Sequence, residues 1–168
     1  MTDIYISLGS NINRQYHIEQ GLNALTDAFG LLALSSLFES EAVGFAGKAF
    51  YNMVVAVKTE LSLAEVASTL RTIEFAYGRS QDAKKFSPRT LDLDLLLYGD
   101  VIADTPAQIP RDEITKNAFV LWPLAEIAGQ LIHPTIAKSY DELWQQYDKH
   151  QQKLKKVPLN WAKENREI

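Results

Sequence analysis

The sequence predicts an α+β fold: a sheet with helices on one face, in an order compatible with a ferredoxin-like split βαβ topology. Three observations carry this. Strand and helix patterns follow one another as strand–helix–strand, twice over. Apolar residues recur at helical spacing in 16–29 and again in 63–77. Residues 87–99 instead alternate, as a strand with two different faces does.

Residues 4–8 read as a buried strand, closed by a Gly9-Ser10-Asn11 turn. Ile18, Leu22, Leu25 and Phe29 share one face of an amphipathic helix over about 16–29. Residues 32–39 and 51–58 read as strands. The small, glycine-punctuated stretch 44–49 between them reads as a mobile loop. Ser62-Leu63-Ala64-Glu65 is a capping box that opens a second helix. Leu63, Val66, Leu70, Ile73 and Tyr77 form its apolar face, and Gly78 ends it. Residues 79–88 form a polar loop. A further helix is expected near 140–147, then a charged tail from about 151 that holds one late aromatic, Trp161.

A chain of 168 residues suits a single domain spanning 1–168. Its net charge of −4 argues against a broad nucleic-acid footprint. It has no cysteine, hence neither disulfides nor thiolate metal sites. No apolar run resembles a signal peptide or a membrane span, so a cytoplasmic protein with no membrane partner is expected. His17, His133 and His150 lie far apart and offer no metal-ligand spacing.

The alternating strand carries the chemistry. Leu91, Leu93, Leu95 and Leu97 are expected on its core face, and Thr90, Asp92, Asp94 and Leu96 on the other. Two carboxylates two residues apart on one strand face lie roughly 6–7 Å apart at Cα. Such a pair repels itself unless a cation lies between. Hard oxygen donors suit Mg²⁺, which takes one or two carboxylates and fills its shell with water and phosphates. A bare Asp-x-Asp would read more simply as a charged edge strand.

The lead-in argues otherwise. Pro88-Arg89-Thr90-Leu91-Asp92-Leu93-Asp94 resembles the signature of the 6-hydroxymethyl-7,8-dihydropterin pyrophosphokinase family of folate biosynthesis. Other blocks agree in order: Ile4 to Asn11, Ser35 to Ser40 with Gly44, Phe50-Tyr51-Asn52, Ile73 to Arg79, Phe119 to Ala128 and His133-Pro134. The resemblance implies a three-layer α/β/α version of the fold. It also implies transfer of pyrophosphate from ATP to the pterin hydroxymethyl group, releasing AMP, with two Mg²⁺ ions; a monomer is expected.

Residue roles follow from the resemblance. It makes Asp92 and Asp94 the metal ligands, and Arg79 and Arg89 phosphate contacts, these four forming the catalytic set. Phe50 and Phe119 match positions that sandwich the pterin, Asn52 the side chain that pairs with its edge, and Ser40 and Val43 positions that add backbone contacts. Glu74, Lys84, Arg89 and Ile109 fall to the nucleotide, with Lys84 and Lys85 in a loop able to close over the triphosphate; Arg111, which departs from the pattern, is expected to replace a lost cation there by a shift of position.

The chain departs from the pattern in places. Ile109-Pro110-Arg111 stands where the family has Pro-His, and Asn117 replaces an arginine. Gln81, Phe86, Ser87 and Glu41-Ala42 also differ. These changes motivate a second reading, a non-catalytic or altered-specificity pterin- or nucleotide-binding paralogue. A nucleotide-sugar transferase would need a longer domain. A phosphate-binding loop at 44–48 fails because Ala49 follows Lys48 where Ser or Thr is required.

Overall fold

The computed structural model describes residues 1–40, 49–78 and 90–161. Strand β1 (Thr2–Ser10) pairs antiparallel with two neighbours, β4 (Phe50–Thr59) and β5 (Asp92–Tyr98). The far side of β4 takes the short β2 (Ala33–Leu34) and β3 (Leu37–Ser40), and β6 (Leu154–Val157) pairs with β3. The resulting order is β5-β1-β4-β3-β6, with β2 beside β4. Helix α1 (Arg14–Phe29) follows β1 and leads to β2 and β3; α2 (Leu63–Ala76) joins β4 to β5. Each βαβ unit leaves a one-strand gap that the other fills, which is the split arrangement the sequence predicted.

Helices lie on both faces, as the three-layer arrangement implied by the family resemblance requires, and not on one as the element order alone suggested. The cluster of Ile4, Ile6, Leu8, Leu93 and Leu95 packs against Ile18, Leu22 and Leu25 of α1 and Val66 and Leu70 of α2. On the opposite face, Val54, Leu96 and Leu97 pack against Val120, Leu121 and Leu124 of α3 (Ala118–Ala128) and Tyr140 of α4 (Tyr140–Gln146). Periodicity missed α3 because its sequence is apolar nearly all round and holds Pro123.

The expected helices otherwise form where their signals lie. Ser62 Oγ accepts from Glu65 N, and Glu65 Oε1 accepts from Ser62 N, completing the capping box. Gly78 follows α2 with φ +94°, a conformation costly for any side-chain-bearing residue.

Two strand expectations need correction. Leu97 does not share the face of Leu91, Leu93 and Leu95. Ile6 pairs with Leu95 but Tyr5 pairs with Leu97, so Leu96 is the extra residue of a β-bulge. Leu96 and Leu97 therefore both join the α3 side. The single strand expected over 32–39 is split at Ser35-Ser36. Ser35 Oγ accepts the Val54 N–H, while Ser36 N–H and Oγ–H both donate to the Glu126 carboxylate. Side chains thus take over backbone pairing.

The described part of the charged segment, 151–161, folds onto the body. It contributes β6 at the sheet edge, and Trp161 is buried with its Nε1–H donating to Asn23 Oδ1.

Candidate active site

The α3 side of the sheet gathers the chemistry. Asp92 and Asp94 alternate with Leu93 and Leu95 of the α1/α2 core, so both carboxylates lie on the opposite face, half-buried. Cross-strand register sets their neighbours. Asp92 pairs with Gly9, Gly9 with Asn52, and Asn52 with Phe38. Two strand spacings separate the Asp92 and Asn52 Cα atoms, roughly 10 Å. Asp94 pairs with Ser7, and Ser7 with Val54.

Asn52 is buried, and its amide lies close over Gly9: a Cβ at position 9 would stand 2.8 Å from Asn52 Nδ2. Ser40, also buried, donates its hydroxyl to Asn52 Oδ1 at 3.4 Å. Phe50 pairs with Ser40 across β3 and β4 and is half-buried. Phe119 stands in the first turn of α3, packed beside the α3-side core. The predicted pterin residues Ser40, Phe50, Asn52 and Phe119 thus share one side of the sheet, along with both aspartates.

Arg111 enters from a loop beside β5. Its N–H donates to Leu96 O at 3.0 Å, which ties the loop to the bulge. Its guanidinium reaches Asp94 Oδ1 at 3.4 Å and Glu113 Oε1 at 2.8 Å. Burial works against that charge, but Asp94, Glu113 and Glu74 together outweigh it and hold the group above its ordinary value. The sequence expected Arg111 as a replacement cation for the nucleotide; the fold sets that cation against the motif's second aspartate.

Glu74 belongs to α2, on the other layer. Its buried Oε2 accepts the Leu93 N–H at 2.9 Å, between the two aspartates. It caps backbone on the outer side of β5, which has β1 on its other edge. Ile109 follows β5 in the connection that leads to Arg111. Its side chain is in the α1/α2 core, and its N–H and C=O both bond Ala103. Val43, Arg79, Lys84 and Arg89 lie outside the described residues.

Sequence reasoning missed two polar residues here. Glu113 lies in a 3-10 turn (Asp112–Thr115) and links Arg111 to Asn117, whose Nδ2 donates to Glu113 Oε2 at 3.2 Å. Gln152, from the charged segment, bonds both Asn117 and the Ala118 N–H. Neither belongs to a motif; the partners of Gln152 are set by the fold, while those of Glu113 stand two and four residues away.

No group of three or more His, Asp or Glu able to hold a metal forms among the described residues. Among them, too, no helix is long and apolar enough to cross a membrane.

The sequence model of a family described as 7,8-dihydro-6-hydroxymethylpterin-pyrophosphokinase (HPPK) matches residues 5–129. A 2-amino-4-hydroxy-6-hydroxymethyldihydropteridine pyrophosphokinase of Pseudomonas aeruginosa is 37% identical over 139 residues, covering 78% of this chain and 83% of its own. One of Haemophilus influenzae is 34% identical over 165 residues, covering 95% of this chain and 99% of its own. Among solved structures, a Plasmodium falciparum HPPK-DHPS crystal structure with pteroate superimposes with a TM-score of 0.72 at 14% identity. That match covers 89% of this chain and 44% of the other, so this chain spans under half the length of that protein.

Proposed function

Because the chain belongs to the 7,8-dihydro-6-hydroxymethylpterin-pyrophosphokinase family, it is a pyrophosphokinase of folate biosynthesis, and we propose that the α3 side of its sheet holds pterin and ATP end to end. The family's enzymes use ATP as co-substrate, pass its pyrophosphate to the hydroxymethyl group of 6-hydroxymethyl-7,8-dihydropterin and release AMP. The observation that carries the assignment is the registered row Asp92–Gly9–Asn52. It sets a carboxylate and a buried amide two strands apart on one face, the separation of the reacting arm and the amide edge of a flat bicycle.

Asn52 offers a donor and an acceptor to the pterin edge, and Ser40 orients that amide. Phe50 and Phe119 supply apolar walls for the ring, and Val43, outside the described residues, would add a backbone contact as the family resemblance implies. Asp92 and Asp94 fit Mg²⁺. They are paired hard-oxygen donors on one face, and a carboxylate pair leaves the rest of the shell to water and phosphate. When bound, two such ions would neutralise the triphosphate and activate the pterin hydroxyl.

Arg111 offers a fixed cation beside Asp94, and Arg79, Lys84 and Arg89 would supply the rest of the phosphate-binding charge. Glu74 acts on the nucleotide side by fixing the β5 backbone between the aspartates. The reaction forms a bond from the hydroxyl oxygen to the β-phosphorus and breaks the bond to AMP. It needs alignment and charge neutralisation more than a strong side-chain base.

AMP release from ATP, followed with and without 6-hydroxymethyl-7,8-dihydropterin, tests the reading. Release that requires the pterin and Mg²⁺ is expected. Tight pterin binding with no AMP would leave the non-catalytic paralogue instead.

A further inference from the structure

We propose that Gln152 is a positioning residue that couples the C-terminal segment to both halves of the active site. It lies beyond residues 5–129, which the family match covers. Its side-chain amide makes two bonds of opposite sense: Oε1 accepts the Ala118 N–H at 2.8 Å, and Nε2 donates to Asn117 Oδ1 at 2.9 Å.

The first bond serves α3. A helix leaves its first N–H groups without intrahelical partners, and the residue before it normally supplies a side-chain cap. Asn117 is that residue, yet its side chain makes no cap bond. Gln152, 34 residues away, instead satisfies the N–H of Ala118, the first residue of the helix. The turn so held carries Phe119.

The second bond serves Arg111. With Oδ1 engaged by Gln152, the Asn117 amide presents Nδ2 to Glu113 Oε2. Glu113 in turn receives both the Nε–H and the Nη2 of Arg111, and Arg111 Nη2 faces Asp94. Gln152, Asn117, Glu113, Arg111 and Asp94 thus form one continuous polar chain. Its order is fixed by donor and acceptor sense. A rotated Asn117 amide would set its oxygen against the Glu113 carboxylate.

The inference rests on the reading of Phe119 and Arg111 as ligand contacts. Two substitutions separate the limbs. Gln152→Ala removes both bonds. Gln152→Glu keeps an acceptor for the Ala118 N–H but has no donor for Asn117. An Asn117 amide that rotated to satisfy the new carboxylate would lose Glu113, so the Arg111 limb loosens either way.

The experiment measures pterin Kd by calorimetry and ATP KM and kcat by AMP release, on the full chain. Gln152→Ala should raise both pterin Kd and ATP KM about three- to tenfold, the loss of roughly one hydrogen bond's discrimination each. Gln152→Glu should raise ATP KM and leave pterin Kd within about twofold. A purely structural role would lower the melting temperature of both variants without splitting the two ligands. Phe119→Ala and Arg111→Ala run alongside. If they weaken pterin and ATP respectively while Gln152→Ala and Gln152→Glu change neither ligand, the coupling is overturned. If Phe119→Ala and Arg111→Ala are themselves silent, the ligand assignments fall, and the role of Gln152 falls with them.

Discussion

The Asn52 amide occupies space that only a glycine at position 9 leaves open. A Cβ on residue 9 would come within 2.8 Å of Asn52 Nδ2. The crowding atom is the end of a side chain, so an added methyl is relieved by swinging the amide, not by moving backbone. Gly9→Ala should therefore keep the fold and displace the group that reads the pterin edge. A loss of pterin affinity of about tenfold or more is expected, one well-placed hydrogen-bonding group being worth about 1–3 kcal/mol. Calorimetry on the variant checks this; unchanged pterin affinity would show that Asn52 is not the edge reader.

Asp92→Ala and Asp94→Ala should each abolish AMP release while leaving the melting transition close to that of the parent. Neither side chain belongs to either apolar cluster. The Asp94–Arg111 pair is about one-third exposed on each side, and such pairs contribute within about 1 kcal/mol. An Asp94→Ala enzyme that turned over with unchanged Mg²⁺ dependence would remove the metal assignment. A collapse of the melting temperature would mean that the aspartates are structural.

Much of this was legible because it is local. Alternation placed Asp92 and Asp94 opposite the leucine core, and the Ser62 and Glu65 pair marked its helix start. What escaped was set by partners. The Leu96 bulge answers to register with Tyr5 and Ile6, and it moved Leu97 across the sheet. The lysine-rich β6 has little strand signal of its own and forms because β3 offers an edge. Ile109 packs its side chain into the α1/α2 core, a placement no local pattern announces. Gln152 and Glu113 had no sequence signal, since their bonds span 34 residues or depend on an amide's orientation.

His133 should make stability pH-dependent on the acid side. Burial lowers its pKa below the ordinary histidine value. Its Nδ1 also accepts from the Thr135 and Ile136 N–H groups, which requires an unprotonated nitrogen. With the folded value below the unfolded one, the unfolded chain binds the extra proton between the two. Stability therefore falls as pH drops below about 6.5 toward the folded value, and this contribution is flat above it. His133→Asn keeps an acceptor for the same N–H groups but cannot titrate. Melting temperatures from pH 7.5 to 5 should decline more steeply in the parent than in the variant, and parallel curves would reject the assignment.

Arg14 should govern pterin affinity without touching the pterin. Its guanidinium donates to Ala49 O at 3.0 Å, pairs with Glu39 Oε2 at 2.6 Å and lies 3.9 Å over the Tyr51 ring. Glu39 and Ala49 stand at the two ends of the connection between β3 and β4, next to Ser40 and Phe50. Lys155 of β6 holds the other Glu39 oxygen, and it acts first, with Arg14, to keep that carboxylate below its usual range. One planar fork thus pins both ends of the segment that carries the proposed pterin contacts. Arg14→Ala should cost about 1–2 kcal/mol of stability and raise pterin Kd severalfold while leaving ATP KM alone. Arg14→Lys should rescue little, because an ammonium cannot meet a carbonyl, a carboxylate and a ring face in one plane. A variant whose pterin and ATP constants rose together would indicate general loosening, and the clamp would then not be specific to the pterin side.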